Sequence, residues 1–320
     1  MLKENEKALL NSKLKPLLLV YAVMVILALV ANFLNPGFLA ISHMGAIFRQ
    51  MAFLGIVCIG QTLVILTGGI DLSISYVLVL CNVVSAQIIN GKNGNTLKAF
   101  MVCLLISIAV GVINSLGVHF LKIPAMIMTL AMGSALLGIA YIYCDGAPKG
   151  KTSPFLDFIA NGKIGGVING ATLIWIVFSI IVIIAVKMTT FGRKLYAIGV
   201  NRESARYSGI SVYSMTLIVY VASSVLAGIC GFILLGYTGT SYLSTGASYN
   251  MDSIAAVVVG GTSTMGGSGS YVGTIAGVGI MIIINSLMTT LNMAESGKKM
   301  VQGLIIILLL VAVYGRKKKN

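Results

Sequence analysis

The chain of 320 residues is 58% apolar and only 9% charged, against roughly 25% charged residues in an ordinary soluble domain. A soluble fold this apolar would expose large greasy patches, and a disordered chain would be far more polar, so a bilayer is the solvent that suits it. The net charge of +14 does not point to nucleic acid, because Lys and Arg gather at the chain ends and between apolar runs without interleaved aromatics; they read as the loop charges that orient membrane proteins.

Residues 1–16 form a polar, basic tail. The apolar run at 17–34 follows, with no small-residue cleavage site behind it, and reads as a retained first span. Further runs near the spanning length of about 20 residues lie at 45–66, 71–90, 97–117, 124–144, 171–189, 214–236, 271–291 and 299–315. A shorter run at 252–262 ends at Gly260 and Gly261 and is expected to pair with non-helical backbone. The expectation is a single all-α, polytopic domain over 1–320 with about ten transmembrane helices.

Two stretches lie between spans. Residues 145–170 are rich in Gly, Asn and Lys and are expected outside. Within them DGAPKGKT comes close to the phosphate-cradling GxxxxGK[ST], but Asp145 stands where Gly is required, and a span rather than a strand precedes it. Residues 190–213 form a basic loop expected inside. In it Asn201 is a good N-cap, Gly209 a good residue to follow a helix end, and Glu203 lies near the positive end of the short helix RESARYS. Such a helix is either a docking element or an ordinary connection.

With the N-terminus cytoplasmic, Arg49, Lys92, Lys98, Lys149, Lys151, Lys163, Lys298 and Lys299 fall outside or near an outer edge. The other 14 of the 22 basic residues fall inside. That bias favours both termini inside, which requires an even number of spans.

Of eight acidic residues, Asp71 in TGGIDLSIS and Asp252 in YNMDSIAAVVVGG adjoin the starts of apolar runs. Each reads as a helix N-cap, or as a polar point where a substrate path meets a broken helix. INSL occurs twice and places Asn114 and Asn285 near the middle of the fourth and ninth runs. Asp71 and Asp252 open the third and eighth. Both correspondences are offset by five runs, and an odd offset inverts the second copy, which gives an inverted repeat of spans 2–5 and 7–10 as a hypothesis. Gln61, Asn114 and Asn285, with Thr67, Ser73 and other hydroxyls, offer neutral donors and acceptors suited to a polyhydroxylated solute, or else interhelical hydrogen bonds.

Cys58, Cys81, Cys103, Cys144 and Cys230 form no CxxC, and His43 and His119 stand isolated near span ends. No metal site, nucleophile–base pair or other catalytic constellation is expected.

Three blocks carry a resemblance: GQTLVILTGGIDLSIS at 60–75, GRKLYAIGVNRESARYSGISV at 192–212, and DSIAAVVVGGTSTMGGSGSYVGTIAGVGIMIIINSL at 252–287. In order and spacing they resemble the ribose-type permeases of ABC sugar importers, over nearly the whole chain from about residue 15. The resemblance implies a bacterial cytoplasmic-membrane subunit working as one of two permease copies, here a homodimer. A separate cytoplasmic ATPase would carry the ATP and Mg, so this subunit would hold no cofactor. An extracytoplasmic binding protein would deliver a small sugar of the ribose, xylose or galactose kind. It further implies that Gly192, Asn201, Glu203, Ala205, Arg206, Gly209 and Ile210 belong to the segment that couples to the ATPase. The outer loop becomes a contact for the binding protein, and Asp71 with Ser73 favours sugar over the amino-acid and nucleoside relatives. The alternative is a stand-alone secondary transporter of a small polar solute.

Overall fold

A computed structural model describes residues 2–164 and 168–294, with residues 296–298, 300–301, 303–304 and 307 beyond them. The chain runs α1 (Leu2–Leu34), α2 (Ile41–Leu66), α3 (Ile74–Ile89), α4 (Thr96–His119), α5 (Ala125–Tyr143), α6 (Pro154–Asn161), β1 (Lys163–Ile164), β2 (Ile168–Asn169), α7 (Gly170–Met188), α8 (Thr190–Val200), α9 (Arg202–Tyr207), α10 (Val212–Thr238), α11 (Tyr249–Val259) and α12 (Tyr271–Thr290). The strands β1 and β2 make a two-residue antiparallel pair.

Nine of the expected apolar runs coincide with helices, and the tenth, at 299–315, falls largely outside the described residues. Among the described residues, seven helices are long and apolar enough to cross a membrane. The other two are short. At 1.5 Å per residue α3 reaches about 24 Å and α11 about 17 Å, less than the roughly 30 Å of a hydrocarbon core. The expected span at 71–90 therefore starts late, because Gly68 and Gly69 stop α2 and the chain stays non-helical up to Ser73. The expected short run at 252–262 is α11, and a second short helix, α3, stands where a full-length span was expected at 71–90.

Both inter-span loops hold structure that their sequences hid. In the loop at 145–170, Ser153 caps α6 by accepting from the Leu156 N–H at 3.2 Å, and Pro154 occupies the first helical turn, where its missing N–H costs nothing. In the other loop, α8 precedes α9 and buries Gly192, Leu195 and Ile198 at three-residue spacing. These helices have eight and eleven residues, too few for their periodicity to rise above the loop composition.

Helix α2 sits at the centre, buried along nearly its whole inner length, with α7, α10, α11 and α12 around it. Helix α10 packs on α2, α3 and α4; α5 covers α3; α1 lies on α12. The outward sides of α4, α5 and α7 carry Leu105, Ile127, Ile142, Ile180 and Ile181, which lipid covers as readily as protein would. Contacts recur reciprocally: α2 meets α11 and α12 as α10 meets α3 and α4, and α3 packs on α4 as α11 packs on α12.

Loops sort into two ends. At one end Arg49 donates to the side chains of Asn161 (3.1 Å) and Asn169 (3.2 Å) and lies over the Tyr237 ring, while Lys151 pairs with Thr240 as an isolated bridge. At the other end the α2–α3 break, the α4–α5 turn, α8–α9 and the turn at 260–270 meet. Segments that alternate along the sequence thus gather at opposite faces of the molecule.

Candidate functional site

The break after α2 exposes backbone groups in a dry interior, where each needs a partner. Four helices supply them. The Asp71 carboxylate accepts at Oδ1 from the Ser73 N–H (3.0 Å) and the Ser73 hydroxyl (2.6 Å), and at Oδ2 from the Ser223 hydroxyl of α10 (2.8 Å). Asn114 of α4 donates from Nδ2 to Ser73 Oγ at 2.9 Å. Thr129 of α5 accepts from the Leu72 N–H at 2.9 Å, and Asn250 of α11 donates to the Leu72 carbonyl at 3.2 Å. Asp71, Ser73, Asn114, Thr129 and Ser223 are all buried. The node has no open face in the single chain, and it ties α3, α4, α5, α10 and α11 to one irregular segment.

Several expectations change here. Asp71 does not cap α3 directly: the helix starts at Ile74 with Ser73 in the cap position, and Asp71 instead folds back onto the Ser73 amide. Asp252 is not a cap either. Helix α11 starts at Tyr249, three residues earlier than expected, with the Asp252 N–H donating to the Ser248 carbonyl at 3.1 Å, which leaves Asp252 in the first turn, where the helix dipole favours an acid. Asn285 is not a buried amide. The inward face of α12 runs through Ala276, Ile280, Ile284 and Met288, and Asn285 lies exposed. His43 is not isolated, since its Nε2 lies 3.1 Å from Ser286 Oγ.

Of the remaining residues, Gln61 lies fully buried on α2, and its amide finds no hydrogen-bond partner among the described residues. Thr67 closes α2, its hydroxyl donating to the Val64 carbonyl at 2.8 Å. Ser223, Thr129 and Asn250 escaped the sequence reading. The one available signal was Ser223–Ser224, two adjacent hydroxyls inside the apolar run of α10.

The second constellation is α8–α9. Asn201 caps α9 by accepting from the Ser204 N–H at 2.9 Å. At the other end Gly209 sits at φ +79°, its N–H donates to Arg206 and the Ile210 N–H donates to Ala205, the paired bonds of a left-handed helix stop. Ala205 is buried and Ile210 half-buried, whereas Asn201, Glu203, Arg206 and Tyr207 stand exposed. Arg202 Nη2 donates to Thr216 Oγ1 of α10 at 3.1 Å. Gly192 lets α8 turn tightly off α7, because a Cβ there would collide with the Val186 carbonyl. Tyr196 donates to the Gly269 carbonyl at 2.7 Å, and burial pushes its hydroxyl pKa up.

The glycine-rich turn has a physical reason. The Gly267 N–H donates to the Leu66 carbonyl at 3.0 Å, and a Cβ on Gly266 would meet the Gly68 amide and the Gly199 carbonyl. Three backbones approach with no side chains between them. Beside this junction a cavity of about 650 Å³ opens between Thr67–Gly69, His119 and Lys122 of the α4–α5 turn, and Arg202, Glu203 and Arg206 of α9.

Comparison with known proteins places the chain among transport permeases. A family model described as branched-chain amino acid transport system / permease component matches residues 43–310. The ribose import permease of Escherichia coli K12 is 35% identical over 302 residues, 93% of this chain and 92% of that protein. That of Bacillus subtilis 168 is 34% identical over 299 residues, 92% of this chain and 91% of that protein. The galactose/methyl galactoside import permease of E. coli K12 is 30% identical over 319 residues, 93% and 95% of the two chains. No solved structure matches the chain.

Proposed function

The chain belongs to this family of multi-pass ABC-importer permeases, which includes the ribose import permeases, and we propose that it forms the translocation path for a monosaccharide in an ATP-driven importer. The observation that carries the reading is the line of contacts from α9 to the broken helix. Arg202 of α9 holds Thr216 of α10, and Ser223, two turns further along α10, holds Asp71 at the break. A displacement of α9 is passed along α10 to the segment that joins α2 to α3.

In this reading α9, with Gly192, Asn201, Glu203, Ala205, Arg206, Gly209 and Ile210, seats on a cytoplasmic ATPase that carries the ATP and Mg. ATP binds the two states of that ATPase with different affinity, and this difference drives alternating access. A second copy of the chain completes the path, and an extracytoplasmic binding protein meets the outer loop at 145–170. The end holding α8 and α9 faces the cytoplasm, on the charge bias. The reciprocal packing of α2–α3–α4 and α10–α11–α12, each long–short–long, supports the inverted repeat; the fourth helix of the second copy lies outside the described residues.

The second reading, a secondary transporter working alone, draws on one observation, the membrane-buried carboxylate of Asp71. Its three hydroxyl and amide donors within the chain argue against its serving as an ion site. Reconstitution decides. Labelled ribose or galactose should enter proteoliposomes only when ATP, the ATPase and the binding protein are all present; uptake by the chain alone would overturn the proposal.

A further inference from the structure

The cavity of about 650 Å³ beside α9 has a lining that a neutral sugar does not call for. Lys122, Arg202 and Arg206 face it together with His119, and Glu203 is the one acid among the lining residues. Three permanent cations against one acid leave a net charge of about +2, before any proton on His119. Neither Lys122 nor Arg206 is engaged in an ion pair within the described residues, and Arg202 spends one arm of its fork on Thr216. Two helix beginnings add to the field. Pro124 opens α5 with no side-chain cap, and α10 starts at Val212 and Tyr213 on the cavity wall. The uncapped first-turn amides of α5, and those of α10 other than the Ser214 N–H that Ser211 accepts at 3.3 Å, carry partial positive charge.

The size and the charge both select a ligand. Sites for small molecules run from about 300 to 1,000 Å³. A phosphate carries about −1.5 to −2 charge at neutral pH and three strong acceptor oxygens, and the guanidinium fork matches its geometry. We propose that this cavity is a binding site for a phosphate group. Its two physical sources are a free phosphate ester and the headgroup of an anionic lipid. The second is within reach because Phe120 and Leu121, next to Lys122, are exposed apolar side chains at the rim. The cavity opens at the end where the α2–α3 break and α9 meet, so an anion held there braces the α4–α5 turn against the coupling helix. Placing that end in the cytoplasm rests on the orientation proposed above, but the site itself does not.

The full chain in phosphatidylcholine nanodiscs, where both faces are accessible, is titrated with radiolabelled inorganic phosphate by equilibrium dialysis. In parallel, nanodiscs containing phosphatidic acid are examined by native mass spectrometry for retained lipid. Saturable phosphate binding that Lys122→Gln weakens about tenfold, with Lys194→Gln on the same face as an unaffected control, supports a free-phosphate source. Retained phosphatidic acid that Lys122→Gln displaces, without phosphate binding, supports the lipid source. His119→Gln serves as the second variant should Lys122→Gln fail to insert. Absence of both kinds of binding, or equal weakening by Lys194→Gln, overturns the proposal. No ATPase or sugar enters the measurement, so its failure is separate from any failure of the transport reading.

Discussion

At the scale of the residue, Asp71 organises the most polar point in the interior. A carboxylate inside a membrane protein is costly unless its charge is met by donors, and here three donors from Ser73 and Ser223 meet it. Asp71→Ala strands the Ser73 amide and two hydroxyls, each worth about 1–3 kcal/mol when left unpaired in a dry site. Ser223→Ala removes one donor and leaves the other two in place. The thermal midpoint in detergent should therefore fall clearly for Asp71→Ala and by less for Ser223→Ala; equal midpoints for wild type and Asp71→Ala would mean the node bears no load. An acid beside an apolar run marks Asp71 in the sequence. Its partner could not be found that way, because Ser223 lies 152 positions further along the chain.

At the scale of the element, α9 shows how much a short helix depends on its ends. Six residues cannot hold a helix by propensity, so the Asn201 cap and the Gly209 stop fix its length, and Ala205 fixes it to the body. Gly209→Pro sets φ near −65° where the chain needs +79°, and it removes the N–H that bonds Arg206. Sugar uptake by the assembled transporter should collapse while the amount of chain in the membrane stays unchanged; normal uptake by this variant would count heavily against coupling through α9. Asn201→Ala loses about 1 kcal/mol of capping and should reduce uptake partially. Both caps were readable in the sequence, since capping is a matter of residues three or four apart. By contrast α8 was not, because its apolar face has meaning only against the end of α2 and the turn at 260–270.

At the scale of the whole molecule, alternating segments gather at two ends, and the proposed orientation rests on the basic residues that favour one of them. The five cysteines are all buried, so single reporter cysteines can be read against a quiet background. In intact cells Ala147→Cys should react with a membrane-impermeant maleimide, and Ser204→Cys should react only after the membrane is opened. Reversed labelling would invert the topology and remove α9 from the cytoplasm.

What the sequence determined by itself is what short-range chemistry writes: an apolar chain for lipid, nine helix positions, the capped α9 and the short, glycine-ended run at 252–262. It also carried the three blocks that mark the family. Only the tertiary structure decided which polar residues work together. INSL treats Asn114 and Asn285 alike, yet the first donates into the Asp71 node and the second points away from the core. The difference lies in the rotation of α4 and α12 about their axes, set by the helices packed on each. In the same way the glycines at 68, 199 and 266 are ordinary in sequence, and their shared reason, three backbones in contact, exists only once the chain has folded.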